Sequence, residues 1–491
     1  MARGESDGKD AARGADLSSQ PLLVDHVAPS SAPQETHVSL EADVLYEVEP
    51  QCVGLKATAT QSCLNIVSTI VGAGTMALPM GFAVLGLAGG ILSLLFVTWI
   101  MSNSIGILVE VSWEQNLSTY GGLVEHYMGQ TGGLLVRMSL VFTCLGFLLS
   151  YLIITGDLLT GTAPDYTGLL PSLTGHVGGP IPWYISRAAA VAVASTVAIF
   201  PLTCLRSLER LSVASLLKCL VTFFFCAITI WACIKGNLNT EFAKVRWWPD
   251  FEAFQEHGVG AIVQFVAVVP VVLTAYSCHF NIHPTMQELE QFTPWRMSLV
   301  ANNALAISSA IFLSVGVAGF LSFGDGVKAD VLQNYNMIFL QPLFGERLGM
   351  AVDYSLKVGY FVLLLCTYPL LNWPFRENIL EIAGVNPSGL ENTRFCAISF
   401  ALNAAVYAMA MGIPSIWTAL SLMGSTSAVM VIFVFPGLVQ YLSAVDRLDL
   451  PTAEPSRSRR LASRRAYGVL LVLLGVGVGA AGVYSILVGP L

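Results

Sequence analysis

Apolar runs long enough to cross a lipid bilayer recur along this chain, and no other property restricts its fold as much. A helix needs about 20 apolar residues to span the hydrocarbon core. Eleven stretches approach that length: 60–85, 87–111, 134–158, 183–203, 211–234, 258–281, 297–323, 349–373, 394–412, 415–440 and 466–489. Inside lipid every backbone N–H and C=O must be paired within the protein, so such stretches are read as α-helices. The expected fold class is an all-α, multi-pass membrane protein. Only 11% of the 491 residues are charged, against about 25% in soluble domains. The net charge of −8 is concentrated at one end, because the first 50 residues hold ten acids and three bases. The remainder is close to neutral, which leaves nucleic-acid binding without support.

Residues 1–55 are polar and acidic and are expected to form a disordered cytoplasmic tail. Residues 56–491 form the expected transmembrane domain. No basic segment followed by an apolar core marks a signal peptide. Gln20-Pro21-Leu22-Leu23 resembles a dileucine sorting signal, with Ser18 where an acid usually stands. Nine of the ten cysteines fall in or beside apolar spans, which implies buried thiols rather than a disulfide framework. An odd span count puts the termini on opposite sides. With the N-terminus inside, eleven basic residues lie in cytoplasmic loops, Arg206, Arg296, Arg376 and Arg394 among them. Five lie outside: Lys235, Lys244, Arg246, Lys328 and Arg347. Cytoplasmic loops carry the basic excess, so a cytoplasmic N-terminus is expected. The sequon at Asn116 then stays unglycosylated.

The first span is unusual. It carries Gly72-Ala73-Gly74 near its middle and Pro79 soon after. Gly costs a helix about 1 kcal/mol relative to Ala, and Pro about 3. A break at the centre of a span is tolerated where the freed backbone lines a cavity or is buried in protein. The sixth span carries Pro270, then Ser277, Cys278 and His279, then Pro284. The two lie five spans apart and enter the membrane from opposite sides. Interrupted helices in matching positions of two halves point to an inverted-repeat transport site.

Four stretches then carry a resemblance. They are 65–86 (N-x-V-x-x-I-V-G-A-G-x-x-x-L-P), 148–158 (LLSYLIITGDL), 275–289 (AYSCHFNIHPTMQEL) and 367–379 (TYPLLNWPFRENI). In this order and at these spans they resemble the amino acid/auxin permease family, most closely its sodium-coupled neutral amino acid transporters. The resemblance covers about residues 56–489. It implies a LeuT-type fold, in which five spans repeat inverted as spans six to ten, plus one further span. It also implies cation-coupled secondary transport of small neutral amino acids by a monomer in the bilayer, without an organic cofactor. Plasma membrane and vacuole or lysosome both fit.

Candidate site residues follow. Gly72, Ala73, Gly74 and Thr75 would bare backbone N–H groups to a substrate carboxylate at the positive end of the next half-helix. Leu273, Thr274, Ala275 and Ser277 would form the unwound middle of span six, with carbonyls facing the substrate ammonium. Tyr151, midway along span three, would reach the carboxylate, with a packed tyrosine whose hydroxyl is satisfied as the alternative. Asp157 is read as a boundary residue. Asp353 and Lys357, four apart, share a helix face and can pair. His279 is read as a hydrogen-bonded bundle histidine, with proton coupling as the alternative. Cys278, His279 and His283 lack a closed zinc geometry.

One departure from the family bears on the coupling ion. The sodium-coupled branch has an asparagine four residues before the first glycine of the break; here that residue is Ser68. By the fold analogy, the carbonyls of Ser68 and Val71 and the hydroxyl of Thr367 line a cation site. In the LeuT-type bundle that the resemblance implies, span five, which carries Lys218, passes beside it. The Lys218 ammonium either stands in for the metal ion and releases a proton during transport, or snorkels to the interface. The coupling ion is H⁺ or Na⁺, with H⁺ favoured. No H-E-x-x-H or G-x-S-x-G motif supports an enzyme. A nutrient receptor on a transporter fold is the remaining alternative.

Overall fold

The chain enters its helical body at Thr58, which opens α1 (Ala59–Ile70) with a reciprocal cap. The Thr58 hydroxyl accepts from Gln61 N–H, and Thr58 N–H donates to Gln61 Oε1 at 2.9 Å. Such a box satisfies two of the N–H groups that every helix start leaves bare. The computed structural model describes residues 56–205, 212–237, 246–249, 259–386, 389–413, 415–448 and 455–488. The acidic tail, its Leu22–Leu23 signal and the loop residues Arg206, Arg210 and Lys244 lie outside the described residues.

Sixteen α-helical segments follow in order among the described residues. After α1 come α2 (Gly74–Glu114), α3 (Tyr120–Leu159), α4 (Leu169–Thr174), α5 (Arg187–Val193) and α6 (Phe200–Thr203). Then come α7 (Ser212–Asn237), α8 (Val259–Tyr276), α9 (Ile282–Glu288), α10 (Pro294–Phe323) and α11 (Met337–Phe344). The last five are α12 (Glu346–Ile382), α13 (Asn392–Gly412), α14 (Ile416–Met423), α15 (Phe435–Leu448) and α16 (Pro455–Val488). Wider π turns join α5 to α6 and α14 to α15. Eight helices among the described residues are long and apolar enough to cross a membrane. The protein is a multi-pass, all-helical bundle.

The helices differ from the apolar runs in informative ways. α2 contains the second half of the first run and all of the second. They meet at Gly86, whose φ of 71° and ψ of 171° turn the chain without a loop. Side chains other than glycine's are strained there. A methyl group on Gly86 would also lie 2.6 Å from the Trp248 carbonyl carbon. Residues 246–248 cap this corner. Leu87 N–H and Ala88 N–H donate to the carbonyls of Arg246 (3.0 Å) and Trp247 (2.9 Å). The Arg246 guanidinium reaches back to the Ala83 carbonyl and pairs with Asp325. Both sides of the corner thus find partners for backbone groups that would otherwise be orphaned.

α3 begins at Tyr120, well before the run at 134, and bends at Gly129. α12 likewise continues nine residues past its run, to Ile382. Hydropathy marks where lipid is met, not where the helix stops. The polar turn holding Arg376 stays helical because Arg376 is buried. It donates to the Thr203 carbonyl and Ser399 Oγ and lies 3.9 Å from the centre of the Phe395 ring.

α2 packs along α10 and α8, and α3 along α12. The interior is apolar but studded with satisfied hydroxyls. Tyr276 Oη, for example, donates to Ser309 Oγ at 2.8 Å and accepts from Thr98 Oγ1. At one end a short backbone bridge ties the start of α1 to the end of α9. Ala57 N–H donates to the Glu288 carbonyl at 2.8 Å, and Glu290 N–H to the Ala57 carbonyl at 2.9 Å.

Candidate functional site

α1 stops at Ile70 and α2 starts at Gly74, so Val71, Gly72 and Ala73 lie between two helices. Val71 is extended, with ψ of 103°. The helix resumes through Thr75 N–H and Met76 N–H, which donate to the carbonyls of Gly72 and Ala73 at 3.1 Å. Among the described residues the N–H groups of Gly72 and Ala73 have no acceptor. They face the positive end of α2, where an anion is stabilised.

The second interruption meets the first. A methyl group on Gly74 would lie 2.5 Å from Cα and Cβ of Ala275. Only a glycine permits so close an approach of the two backbones. α8 ends at Tyr276, and a single 3-10 turn at residues 279–281 leads into α9. Leu273, Thr274, Ala275 and Ser277 are all fully buried beside the break, but the first three still belong to α8. The unwinding begins at Ser277, later than the sequence reading placed it. Thr274 Oγ1 donates to the Leu420 carbonyl at 3.1 Å and fixes α8 to α14.

Tyr151 and Lys218 both converge on Gly72. A methyl group there would lie 3.1 Å from Tyr151 Oη and 3.9 Å from Lys218 Nζ. Lys218 is 3% exposed, so its ammonium does not reach the interface. Among the described residues it makes no ion pair. Ser68, Val71 and Lys218 line one small cavity with Thr222 and Ile311. It has room for about one water molecule, which suits a cation-sized group and not an amino acid. Thr367 is not among its lining residues. Its hydroxyl donates to the Leu363 carbonyl at 2.7 Å, within α12.

Two hydroxyls at the breaks, Thr75 Oγ1 and Ser277 Oγ, are buried and have no partner. Buried polar atoms are normally satisfied, and at the breaks a ligand or a water molecule can supply the missing bond. Gly72, Ala73, Gly74, Thr75, Tyr151, Ala275, Ser277 and Lys218 are thereby drawn to one place.

His279 is buried, and its Nε2 lies 2.8 Å from Ser104 Oγ. That hydroxyl has one proton, and it donates it to the Ile432 carbonyl at 2.7 Å. His279 Nε2 therefore carries the proton in this bond. His283 Nε2 bonds Ser112 Oγ at 2.9 Å, and its ring stacks on Tyr120. Among the described residues no three His, Cys, Asp or Glu side chains could hold a metal ion together.

Sequence reading missed Thr69 and Asn281. Asn281 Nδ2 donates to Thr69 Oγ1 at 2.8 Å, which bolts the two broken helices together. The one available signal was a polar residue a few positions from each interruption.

The model of the family described as transmembrane amino acid transporter protein matches residues 55–481. This chain belongs to that family. Among related members, the Amino acid transporter AVT6A of Arabidopsis thaliana is 30% identical over 476 residues, covering 94% of this chain and 97% of that one. The Vacuolar amino acid transporter 5 of Schizosaccharomyces pombe is 23% identical, over 87% and 95% of the two chains. The Sodium-coupled neutral amino acid transporter 7 of Bos taurus is 27% identical, over 87% and 88%. These family members are named as transporters, not as enzymes. Among solved structures, that of MhsT in complex with L-phenylalanine superposes with a TM-score of 0.54 at 15% identity. It covers 87% of this chain and 99% of MhsT, so the family member described here shares its LeuT-like fold.

Proposed function

We propose that the protein is a secondary active transporter of small neutral amino acids, driven by a cation. The observation that carries this reading is the meeting of the two interrupted helices at Gly74 and Ala275, with bare amides, unpartnered hydroxyls and a buried lysine around them. The Gly72 and Ala73 amides take the substrate carboxylate, helped by Tyr151 Oη. The end of α8 and Ser277 meet the ammonium. The names of the relatives support an amino acid substrate, and one of them is named for neutral amino acids.

The full bundle on this reading has eleven crossings, five repeated inverted and one extra, acting as a monomer with its N-terminus in the cytoplasm. The first interruption and the second then correspond across the repeat. A vacuolar or lysosomal membrane is favoured by the name of the fission-yeast relative.

We take the coupling ion to be a proton. Lys218 puts a positive charge beside the Gly72 break, in the cavity that Ser68 and Val71 also line. On this reading the ammonium stands where a metal ion would sit at the end of α1, and its proton is given up and regained within each cycle. Uptake by purified protein in liposomes tests this. Transport should persist when choline replaces sodium and rise with an inward proton gradient. Strict sodium dependence would overturn proton coupling, and binding without flux would overturn transport itself.

A further inference from the structure

Away from the broken helices, five charged side chains are gathered at the far end of α3. Asp157, in its last turn, pairs with Arg187 at the start of α5, whose other amino group donates to the Ile153 carbonyl at 2.9 Å. Lys357 on α12 pairs with Asp353 at 2.7 Å and donates to the Thr167 carbonyl at 2.6 Å. Each base thus has its own acid. The fifth is Asp330, in the segment between α10 and α11; Lys328 and Arg187 lie near it, but among the described residues no base is within ion-pair distance of its carboxyl. Its Oδ1 accepts from Leu332 N–H at 3.0 Å. Its Oδ2 has no partner, and the residue is 0% exposed.

Asp330 lines a cavity with Asp157, Thr167, Gln333, Asn336 and Lys357 that has room for about one water molecule. Gln333 is itself tied down, accepting from Thr162 Oγ1 at 2.7 Å. Segment 330–336 is therefore seated on α3, on the loop after it and on α12, with an unpaired carboxyl at its centre. The groups that face this carboxyl are Asp157 from α3, Arg187 from α5, Lys328 from its own segment, and Lys357 and Tyr360 from α12. Asp353 lies behind Lys357.

We propose that Asp330 is a proton-binding site that latches this face of the protein. When Asp330 is neutral its O–H donates within the cavity, and segment 330–336 stays seated. When the proton leaves to the solvent on that face, an unpaired charge remains inside and the segment lifts to hydrate it. Burial, and then the neighbouring charge of Asp157, hold the carboxyl well above the usual carboxylate range in the seated state. The sign follows. The seated state binds the proton more tightly than the lifted one, so seating is complete below the ordinary carboxylate range. It is lost as pH rises through the raised value, by up to about tenfold per pH unit for one proton. The latch does not depend on the proposed transport cycle, and its test does not use transport.

Hydrogen–deuterium exchange of the purified full-length protein reads it directly. In wild type, exchange over 328–336, corrected for its intrinsic pH dependence, should be at least about tenfold slower at pH 5 than at pH 8. In Asp330→Asn it should be slow at both. Asp157→Asn removes the neighbouring charge and frees Arg187, so the transition should move to lower pH. Equal protection of wild type at both pH values, a pH response retained by Asp330→Asn, or an unmoved transition in Asp157→Asn would each overturn the latch.

Discussion

At the first interruption the three residues that leave the helix are Val71, Gly72 and Ala73, and none has a polar side chain. Their polar surroundings come from elsewhere, as Tyr151 from α3 and Lys218 from α7 close on Gly72. At the second interruption the local residues reach outward. Thr274 binds the Leu420 carbonyl, His279 binds Ser104, and Asn281 binds Thr69. One break is bare backbone lined by borrowed side chains. The other is pinned to three neighbouring helices by its own. A backbone left bare can change partners when a ligand arrives, whereas a pinned one holds its shape. On the proposed function, the first would grip and release the substrate and the second would provide the fixed wall.

This contrast fails if the two breaks respond alike to mutation. The largest effect is expected at the first. Gly74→Val puts a β-branched side chain where even a methyl group would lie 2.5 Å from the Ala275 backbone. Uptake should fall to near zero while membrane insertion, followed by protein yield, stays normal. Unchanged uptake would place the site elsewhere. Next comes Lys218→Ala, which removes the borrowed charge. Transport should lose its dependence on the proton gradient, measured as uptake against imposed pH difference. A pH dependence that survives would reassign proton coupling to another group.

The smallest effect should come from Asn281→Ala at the pinned break. It removes one hydrogen bond to Thr69, worth about 1 kcal/mol. The melting temperature of the purified protein should fall by roughly 2 °C, with uptake kept within a fewfold of wild type. A loss as complete as that of Gly74→Val would erase the distinction between gripping and fixed breaks.

What the sequence revealed divides along the range of the interactions. The glycine break and the Asp353–Lys357 pair at four-residue spacing were legible, because each rests on local pattern; for Lys218 the sequence left a place beside the first span and snorkelling to the interface both open. The Asp157–Arg187 pair and the Asn281–Thr69 bond were not. Their partners are 30 and 212 residues apart, and no periodicity relates them. The cap of residues 246–248 over Gly86 was hidden for the same reason. Helix ends were misjudged wherever a polar turn stayed helical, as at Arg376. There a buried guanidinium, invisible to hydropathy, finds its partners inside the bundle.

The bridge between Ala57 and residues 288–290 has a different kind of consequence. Both of its hydrogen bonds join backbone amides to backbone carbonyls. Replacing the side chains of Ala57, Glu288 or Leu289 leaves the bonding groups in place, and only proline at 57 or 290 would delete a donor. The hydrogen bonds therefore place almost no demand on the side chains of Ala57 and Glu288, whereas Leu289 is buried in the apolar core and keeps its own packing demand. Lineages of this chain are free to drift at Ala57 and Glu288 while inheriting the same fastening between the start of α1 and the end of α9.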